Sequence, residues 1–378
     1  MNSQMGRSVA VWLAESSENL AGTKRPRFWL LTLLTLLSST GVPSIAQASS
    51  AIPGIAVGQT IPTIEALDQN GRLQTFDTLK GKNGLLLLFS RSADWCPYCK
   101  MHLLQLEQAK ERFEEKGIRV ASITYDSEAI LKEFSIRKGI TYPMLSDGGS
   151  KVIRSFGILN PDGKGFAAGI PYPGIYLVSP EGKVEDRFFE SQYSDRFTPN
   201  DVYAAIFGMA PSNAHEAPPV RAPHVTIQLS QSDTTVGAGS RIKLLVNVEP
   251  APHVHLYAPG AEKNGYKVIK LDLDTSSDFR AEPMHYPPGT PFTFVALKET
   301  VPIYSKPALL TQDVVVAATK EFNSSIGTGK TIHIVGKLLY QACDDHQCYS
   351  PVEQSVSWNV QVLPFDRVRS PEAIQHKD

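Results

Sequence analysis

Trp95-Cys96-Pro97-Tyr98-Cys99 constrains this chain more than any other feature: two cysteines separated by two residues, where an apolar run gives way to helical periodicity. Leu85 to Phe89 reads as a buried strand. Met101, Leu104, Leu106 and Phe113, within the charged stretch from Lys100 to Lys116, read as a helix packed on one face. A thiol in the first turn of such a helix meets unpaired backbone N–H groups and the positive end of the helix dipole. Thiolate is thereby favoured, and thiolate is the nucleophile. A pKa lowered from ~8.5 to ~6.5 raises the reactive fraction at neutral pH from a few per cent to roughly three quarters. Cys99, one turn later, is placed to resolve a mixed disulfide formed on Cys96, and Trp95 to shield the sulfur by packing. The competing zinc reading needs a second close pair or histidines in tetrahedral reach. The only other cysteines, Cys343 and Cys348, lie far downstream with a four-residue gap. No metal and no cofactor are expected.

Residues 1–48 read as a targeting segment. Lys24, Arg25 and Arg27 precede the apolar stretch from Phe28 to Leu37, and Ala46-Gln47-Ala48 supplies a small-x-small cleavage signal after Ala48. The apolar stretch is short for a membrane span, with an uncleaved anchor as the alternative. The expectation is a periplasmic or secreted protein with no membrane span in its mature chain. All four cysteines fall in two close pairs, which suits an oxidising compartment. A net charge of −1 gives no electrostatic reason to expect nucleic acid as a partner.

At roughly 330 residues from Ser49 onward, two domains are the prior. Residues 211–224, with Pro211, Pro218, Pro219 and Pro223, have the composition of a semi-rigid linker. Over residues 49–210 strands and helices alternate: a strand at Arg119–Tyr125, a helix at Ser127–Lys138, a hairpin of Gly174–Ser179 with Val184–Phe189, and a last helix opened by Thr198-Pro199. That order gives a mixed sheet flanked by helices. Over residues 225–364 short β-rich runs replace this pattern, from Val225–Leu229 to Val356–Val362, as in a β-sandwich of roughly 140 residues. Residues 365–378 read as a polar tail.

The first domain resembles the thioredoxin-like superfamily, in its redoxin branch of alkyl hydroperoxide reductase and thiol-specific antioxidant (AhpC/TSA) type. The matching residues are the cysteine motif, Val57-Gly58-Gln59-Thr60-Ile61-Pro62, and Tyr172-Pro173-Gly174-Ile175-Tyr176-Leu177-Val178 with Gly182-Lys183. In this superfamily a cis proline faces the cysteine pair. Pro173 matches it, and Pro171 is the competing candidate. Peroxiredoxins place a Thr or Ser three residues before their cysteine, a Pro seven before, and an Arg near the cis-proline location. Those places here hold Ala93, Phe89 and Pro173, with Arg91 or Arg187 as substitutes for the arginine. The resemblance therefore implies a dithiol exchanger, with a thiol peroxidase as the rival.

The second domain resembles the amino-terminal periplasmic domain of the DsbD-type thiol:disulfide interchange protein. The resemblance lies in Tyr340-Gln341-Ala342-Cys343-Asp344-Asp345-His346-Gln347-Cys348-Tyr349-Ser350-Pro351, supported by His255-Leu256-Tyr257-Ala258-Pro259-Gly260 and Tyr286-Pro287-Pro288. It implies an immunoglobulin-like sandwich whose cysteine pair shuttles electrons. Two departures stand out: the multi-helix membrane domain is missing, and Ser350 stands where a second proline is common. The expected whole is an α/β thioredoxin-like domain followed by an all-β immunoglobulin-like sandwich. Cys96, Cys99 and Pro173 are its catalytic residues and Cys343 and Cys348 its redox relay. Its partners are protein thiols and disulfides, with a membrane thiol-disulfide reductase as a candidate electron donor. Two alternatives for the second pair are a structural clip and metal binding with Asp344 and His346, for which no fourth soft ligand is evident; His253 and His255 read as ordinary surface or core histidines. For the whole chain, a binding or chaperone module with inert disulfides is the third reading.

Overall fold

In the computed structural model, residues 53–208, 218–295 and 298–377 are described. The targeting segment 1–48 and residues 211–217 of the linker lie outside the described residues. The first domain opens with β1 (Glu65–Asp68), β2 (Leu73–Thr75) and α1 (Phe76–Leu79). It continues with β3 (Leu85–Phe89), α2 (Pro97–Glu115), β4 (Arg119–Thr124), α3 (Glu128–Lys138), β5 (Met144–Ser146) and α4 (Lys151–Ser155). The hairpin of β6 (Gly174–Val178) and β7 (Val184–Phe189), then β8 (Arg196–Phe197) and α5 (Pro199–Phe207), complete it. The sheet order is β2-β1-β5-β4-β3-β6-β7, with β3, β4 and β5 parallel and β6 and β7 antiparallel. The mixed sheet follows from the alternation of strands and helices in the sequence.

Every residue of β3 is buried, because helices cover both faces of the sheet. Leu86 and Leu88 face Leu103, Leu106 and Phe113 of α2, whereas Leu85, Leu87 and Phe89 share the opposite core with Ile153 and Tyr176. A continuous apolar run is what such a doubly covered strand requires. Ser127 caps α3, its Oγ accepting the Ile130 N–H at 3.4 Å, and Gly139 ends that helix at φ 70°.

The second domain comprises β9 (Val220–Ala222), β10 (Val225–Gln231), β11 (Thr235–Val236), β12 (Ser240–Pro250), β13 (His255–Tyr257), β14 (Lys270–Leu273) and β15 (Phe279–His285). After these come β16 (Thr290–Phe294), β17 (Glu299–Tyr304), β18 (Ala308–Val316), α6 (Lys320–Ser325), β19 (Lys330–Tyr340), β20 (Ala342–Cys343) and β21 (Val352–Val362). Sheets ordered β15-β18-β12-β10-β9 and β11-β21-β19-β14 contribute to one core, in which Ile227, Val246 and Leu310 cluster with Ile334, Val356 and Trp358. The buried–exposed alternation along β21 is the period-two signature of a half-covered strand. A small sheet, β16-β17-β13-β20, adds Leu256, Tyr304 and Ala342 to this core. Within the stretch expected to be linker, Val220–Ala222 instead adds an edge strand to β10.

The two domains are joined by sheet and by charge. β8 pairs in parallel with β12, Arg196 opposite Ser240 and Phe197 opposite Arg241, so the first domain lends a strand to the second. Gly239 turns the chain into that contact at φ +77°. A Cβ there would lie 2.2 Å from the Ser194 carbonyl oxygen, so the approach needs glycine. Arg241 bonds Glu190 through Nε, lies 3.5 Å from Asp313, and stacks over Phe197. Thr198 Oγ1 accepts the Asp201 N–H at 3.0 Å, capping α5, and donates to Asp233 of the second domain at 2.6 Å. The second domain also covers a flank of α2, where Gln105 Nε2 donates to Ser240 Oγ at 3.3 Å. That contact accounts for the burial of Gln105, whereas His102 is buried beside Arg196 and Phe197 of β8, although the sequence predicted a single packed face.

Candidate active site

Cys96 is the N-cap of α2, with extended backbone (φ −94°, ψ 102°), and Pro97 occupies the first helical position. The proline loses nothing there, since its absent N–H would be unpaired anyway. The Cys99 N–H donates to Cys96 Sγ at 3.3 Å, and the two sulfurs form a disulfide with a Cα–Cα distance of 5.2 Å. The cap position thus gives the sulfur a peptide donor that would hold negative charge once the disulfide opens. Both cysteines are buried, at 2% and 1% exposure. Exchange with a macromolecule therefore requires local opening.

The loop from Ser90 to Trp95 is fixed by two buried carboxylates. Asp126, just beyond β4, accepts from Ser92 Oγ and from the Ala93 N–H, both at 2.7 Å. Asp94 accepts from Arg369 Nε at 2.9 Å and Nη2 at 2.6 Å, and from the N–H groups of Ser370 and His376. Burial alone would push the Asp94 carboxyl up; the bond to Arg369 and the two peptide donors bring it below the usual carboxylate value. Trp95 Nε1 donates to Tyr125 Oη at 2.8 Å, and its ring meets Phe166 edge-on. Arg91 stacks over Trp95, with its guanidinium 5.0 Å from the ring centroid. Arg187, the other candidate substitute, donates to the carbonyls of Gly54 and Ile55. Arg196 is buried, with Nε and Nη2 lacking a partner among the described residues.

Pro173 immediately precedes β6, whose Gly174 pairs with Phe89 at the end of β3. It is buried beside the strand end from which the cysteine loop departs. Pro171 forms an isolated bridge with Leu159 instead. The sheet thus brings Cys96, Cys99, Trp95 and Pro173 to one end of the domain.

Cys343 and Cys348 lie elsewhere. They form a disulfide across a tight loop, with Cα atoms 4.0 Å apart. Asp344 organises that loop by accepting from the N–H groups of His346 and Gln347 at 2.7 and 2.8 Å and from Tyr349 Oη. Cys343 is buried in a cluster with Tyr257 and Ile303, but Cys348 is exposed, with Tyr257 Oη 3.6 Å from its sulfur. Burial, with Glu299 adding to it, pushes Tyr257 up to about 12, so the phenol stays protonated and able to donate. His255 sits opposite Cys343 in the β13–β20 register and packs on Phe292, while His253 has φ 65°. Among the described residues no cluster of three metal-ligating side chains occurs.

Of the two routes open to a relay, to the first domain or to a separate partner, this arrangement does not provide the first within one chain. His224 stacks on Tyr349 and accepts from the Ala251 N–H, which places the second disulfide at the Pro250 end of β12. The first domain meets β12 at Ser240. Eleven residues lie along that strand, an extent of about 33 Å at ~3.3 Å per residue. Such a distance is far beyond the sulfur–sulfur contact that exchange needs.

Sequence reasoning missed the part played by residues 365–377. Phe365 packs on Tyr98 with ring centroids 4.4 Å apart, Lys100 Nζ donates to the Val368 carbonyl, and Asp366 pairs with Arg137 and Lys138 of α3. His376 stacks on Tyr125 and bonds Asp126 at 2.8 Å. Pairing of Asp94 with Arg369 leaves no local trace in a sequence, because 275 residues separate them.

The helix-capping disulfide at the end of a parallel strand belongs to a redoxin domain of thioredoxin-like architecture. Residues 57–187 match the AhpC/TSA family and form a redoxin domain, whose members are peroxidases or thiol-disulfide oxidoreductases. The chain is similar to the 1-Cys peroxiredoxin PER1 of Triticum aestivum, 25% identical over 172 residues covering 44% of this chain and 78% of the relative. It is also similar to the thiol-disulfide oxidoreductase ResA of Bacillus thuringiensis (strain Al Hakam), 24% identical over 170 residues covering 45% and 90%. Among solved structures, peroxidoxin BcpB of Mycobacterium tuberculosis matches 36% of this chain and 88% of its own at 21% identity, with a TM-score of 0.33.

Proposed function

We propose that the protein is an exported dithiol–disulfide oxidoreductase acting on protein disulfides through Cys96 and Cys99. The observation that carries this reading is the Cys96–Cys99 couple within one helical turn, its capping sulfur facing the Cys99 N–H. In the reduced enzyme the Cys96 thiolate attacks a substrate disulfide, forming a mixed disulfide and releasing one substrate thiolate. The Cys99 thiolate then attacks the Cys96 sulfur, releases the second substrate thiol, and closes the Cys96–Cys99 disulfide. Two electrons pass to the substrate; the reverse sequence oxidises a dithiol. Pro173, by its place beside the cysteine loop, presents backbone to the docked chain.

In this reading the second domain is of DsbD amino-terminal type with an immunoglobulin-like sandwich, and Cys343–Cys348 is its relay. The exposed Cys348 supports exchange with a separate partner or another copy of the chain, such as a membrane thiol-disulfide reductase donating electrons. Export rests on the targeting segment and the paired cysteines. A thiol peroxidase is the second reading, favoured by the similarity to a peroxiredoxin and by Arg91 beside the motif. Against it, Ala93 offers no hydroxyl to a bound peroxide.

Stopped-flow mixing of the reduced protein with hydrogen peroxide and, separately, with a peptide disulfide tests the choice. The exchanger reading expects Cys96-dependent reduction of the peptide disulfide to exceed peroxide turnover by at least about 100-fold in rate constant, a differential barrier of roughly 3 kcal/mol. Rapid Cys96-dependent peroxide consumption with slow disulfide exchange would overturn it.

A further inference from the structure

Asp94 poses an electrostatic problem for its own active site. Its carboxylate is fully buried, two residues before Cys96, so the two Cα atoms lie within about 7 Å of each other. A buried anion two residues from the thiol, left without a countercharge, opposes its ionisation. Its countercharge comes from the far end of the sequence: Arg369 approaches with two N–H groups, and the Ser370 and His376 peptides complete the shell. The segment bearing them is held independently, by Asp366 on Arg137 and Lys138 and by Phe365 on Tyr98.

Other charges around the loop are accounted for separately. Asp126 is bonded to Ser92, Ala93 and His376. Lys100, on α2, donates to Val368, and burial pushes its amine down. On the opposite side Arg91 lies over Trp95 and Tyr193, and the phenols of Tyr98 and Tyr125 are held neutral by burial. Arg196, buried beyond Tyr98, bonds the Asp195 carbonyl. Of these groups, Asp94 is the carboxylate nearest Cys96 in the chain, and Arg369 is the cation bound to it.

We propose that Arg369 is a positioning residue of the Cys96 site: by neutralising Asp94 from residues 365–377, it lets the cysteine ionise at neutral pH. The distal segment thus belongs functionally to the redoxin domain. This rests on Cys96 being the nucleophile, and it holds whether the electrophile is a disulfide or a peroxide.

The test is the pH dependence of Cys96 alkylation by iodoacetamide in the reduced full chain, read by peptide mass spectrometry. Arg369→Gln should raise the Cys96 pKa by about one unit, and Arg369→Lys should restore most of the shift. Asp94→Asn, which keeps the shape and removes the charge, should lower the pKa, and Asp94→Asn with Arg369→Gln should return it to the wild-type value or below. If Arg369→Gln fails to fold, Asp94→Asn alone decides: an unchanged or raised pKa overturns the proposal, as does a folded Arg369→Gln that titrates like wild type. A wild-type Cys96 with an ordinary thiol pKa would instead defeat the reading of Cys96 as nucleophile, which separates the two failures.

Discussion

At Cys96 the Cys99 N–H points at the sulfur from 3.3 Å, and the rest of the first turn of α2 adds its unpaired donors. The site was legible in the sequence because this arrangement is local: strand, loop, cysteine, proline and helix follow one another within fifteen residues. The carboxylate shell around the loop was not, because its partners arrive from residues 366–376. A second residue-scale consequence concerns His102, six residues further along α2. Burial, with the neighbouring Arg196 guanidinium, pushes it down to about 3. The folded protein keeps this imidazole neutral, whereas the unfolded chain protonates it near pH 6.5. Stability carried by the neutral form is therefore intact above about pH 6.5 and is lost progressively as the pH falls toward 3. Replacing His102 with Leu should flatten that slope, reducing the stability difference between pH 7 and pH 4.5 by roughly 1–3 kcal/mol in urea titrations. An unchanged slope would place the acid sensitivity elsewhere.

The elements show where propensity was a sufficient guide. Ser127 and Thr198 cap the helices that their sequence context predicted, and β3 and the β6–β7 hairpin fall on the apolar runs read as strands. Short or weakly apolar strands such as β1, β2 and β5 escaped the sequence reading, because three or four residues carry too little periodicity to register. Thr198 has a second duty that a capping pattern cannot reveal, its hydroxyl donating to Asp233 of the other domain. Thr198→Ala should cost about 1–3 kcal/mol by losing a cap and a buried hydrogen bond together, and Thr198→Ser much less. Denaturant midpoints of the two variants measure this directly. Gly239→Ala faces both a positive φ and the Ser194 carbonyl, so it should destabilise by more than about 1 kcal/mol, read as a lowered melting temperature.

Across the whole molecule the two disulfides occupy opposite ends of β12, and the covalent link between the domains does not bring them together. Redox equilibration between Cys96–Cys99 and Cys343–Cys348 should therefore be second order in protein, rising linearly with concentration; a rate independent of concentration would show that one chain bends to join its own pairs. Two close cysteine pairs are plain in the sequence but not their separation, since that is set by strand direction and by which end of β12 meets β8. The most direct test of the central claim is a trap: express the full chain with Cys99→Ser and analyse non-reduced proteins by mass spectrometry. Mixed disulfides joining Cys96 to cysteines of other proteins are expected, abolished by a further Cys96→Ala change. A Cys99→Ser protein that accumulates no mixed disulfide on Cys96 would contradict that claim.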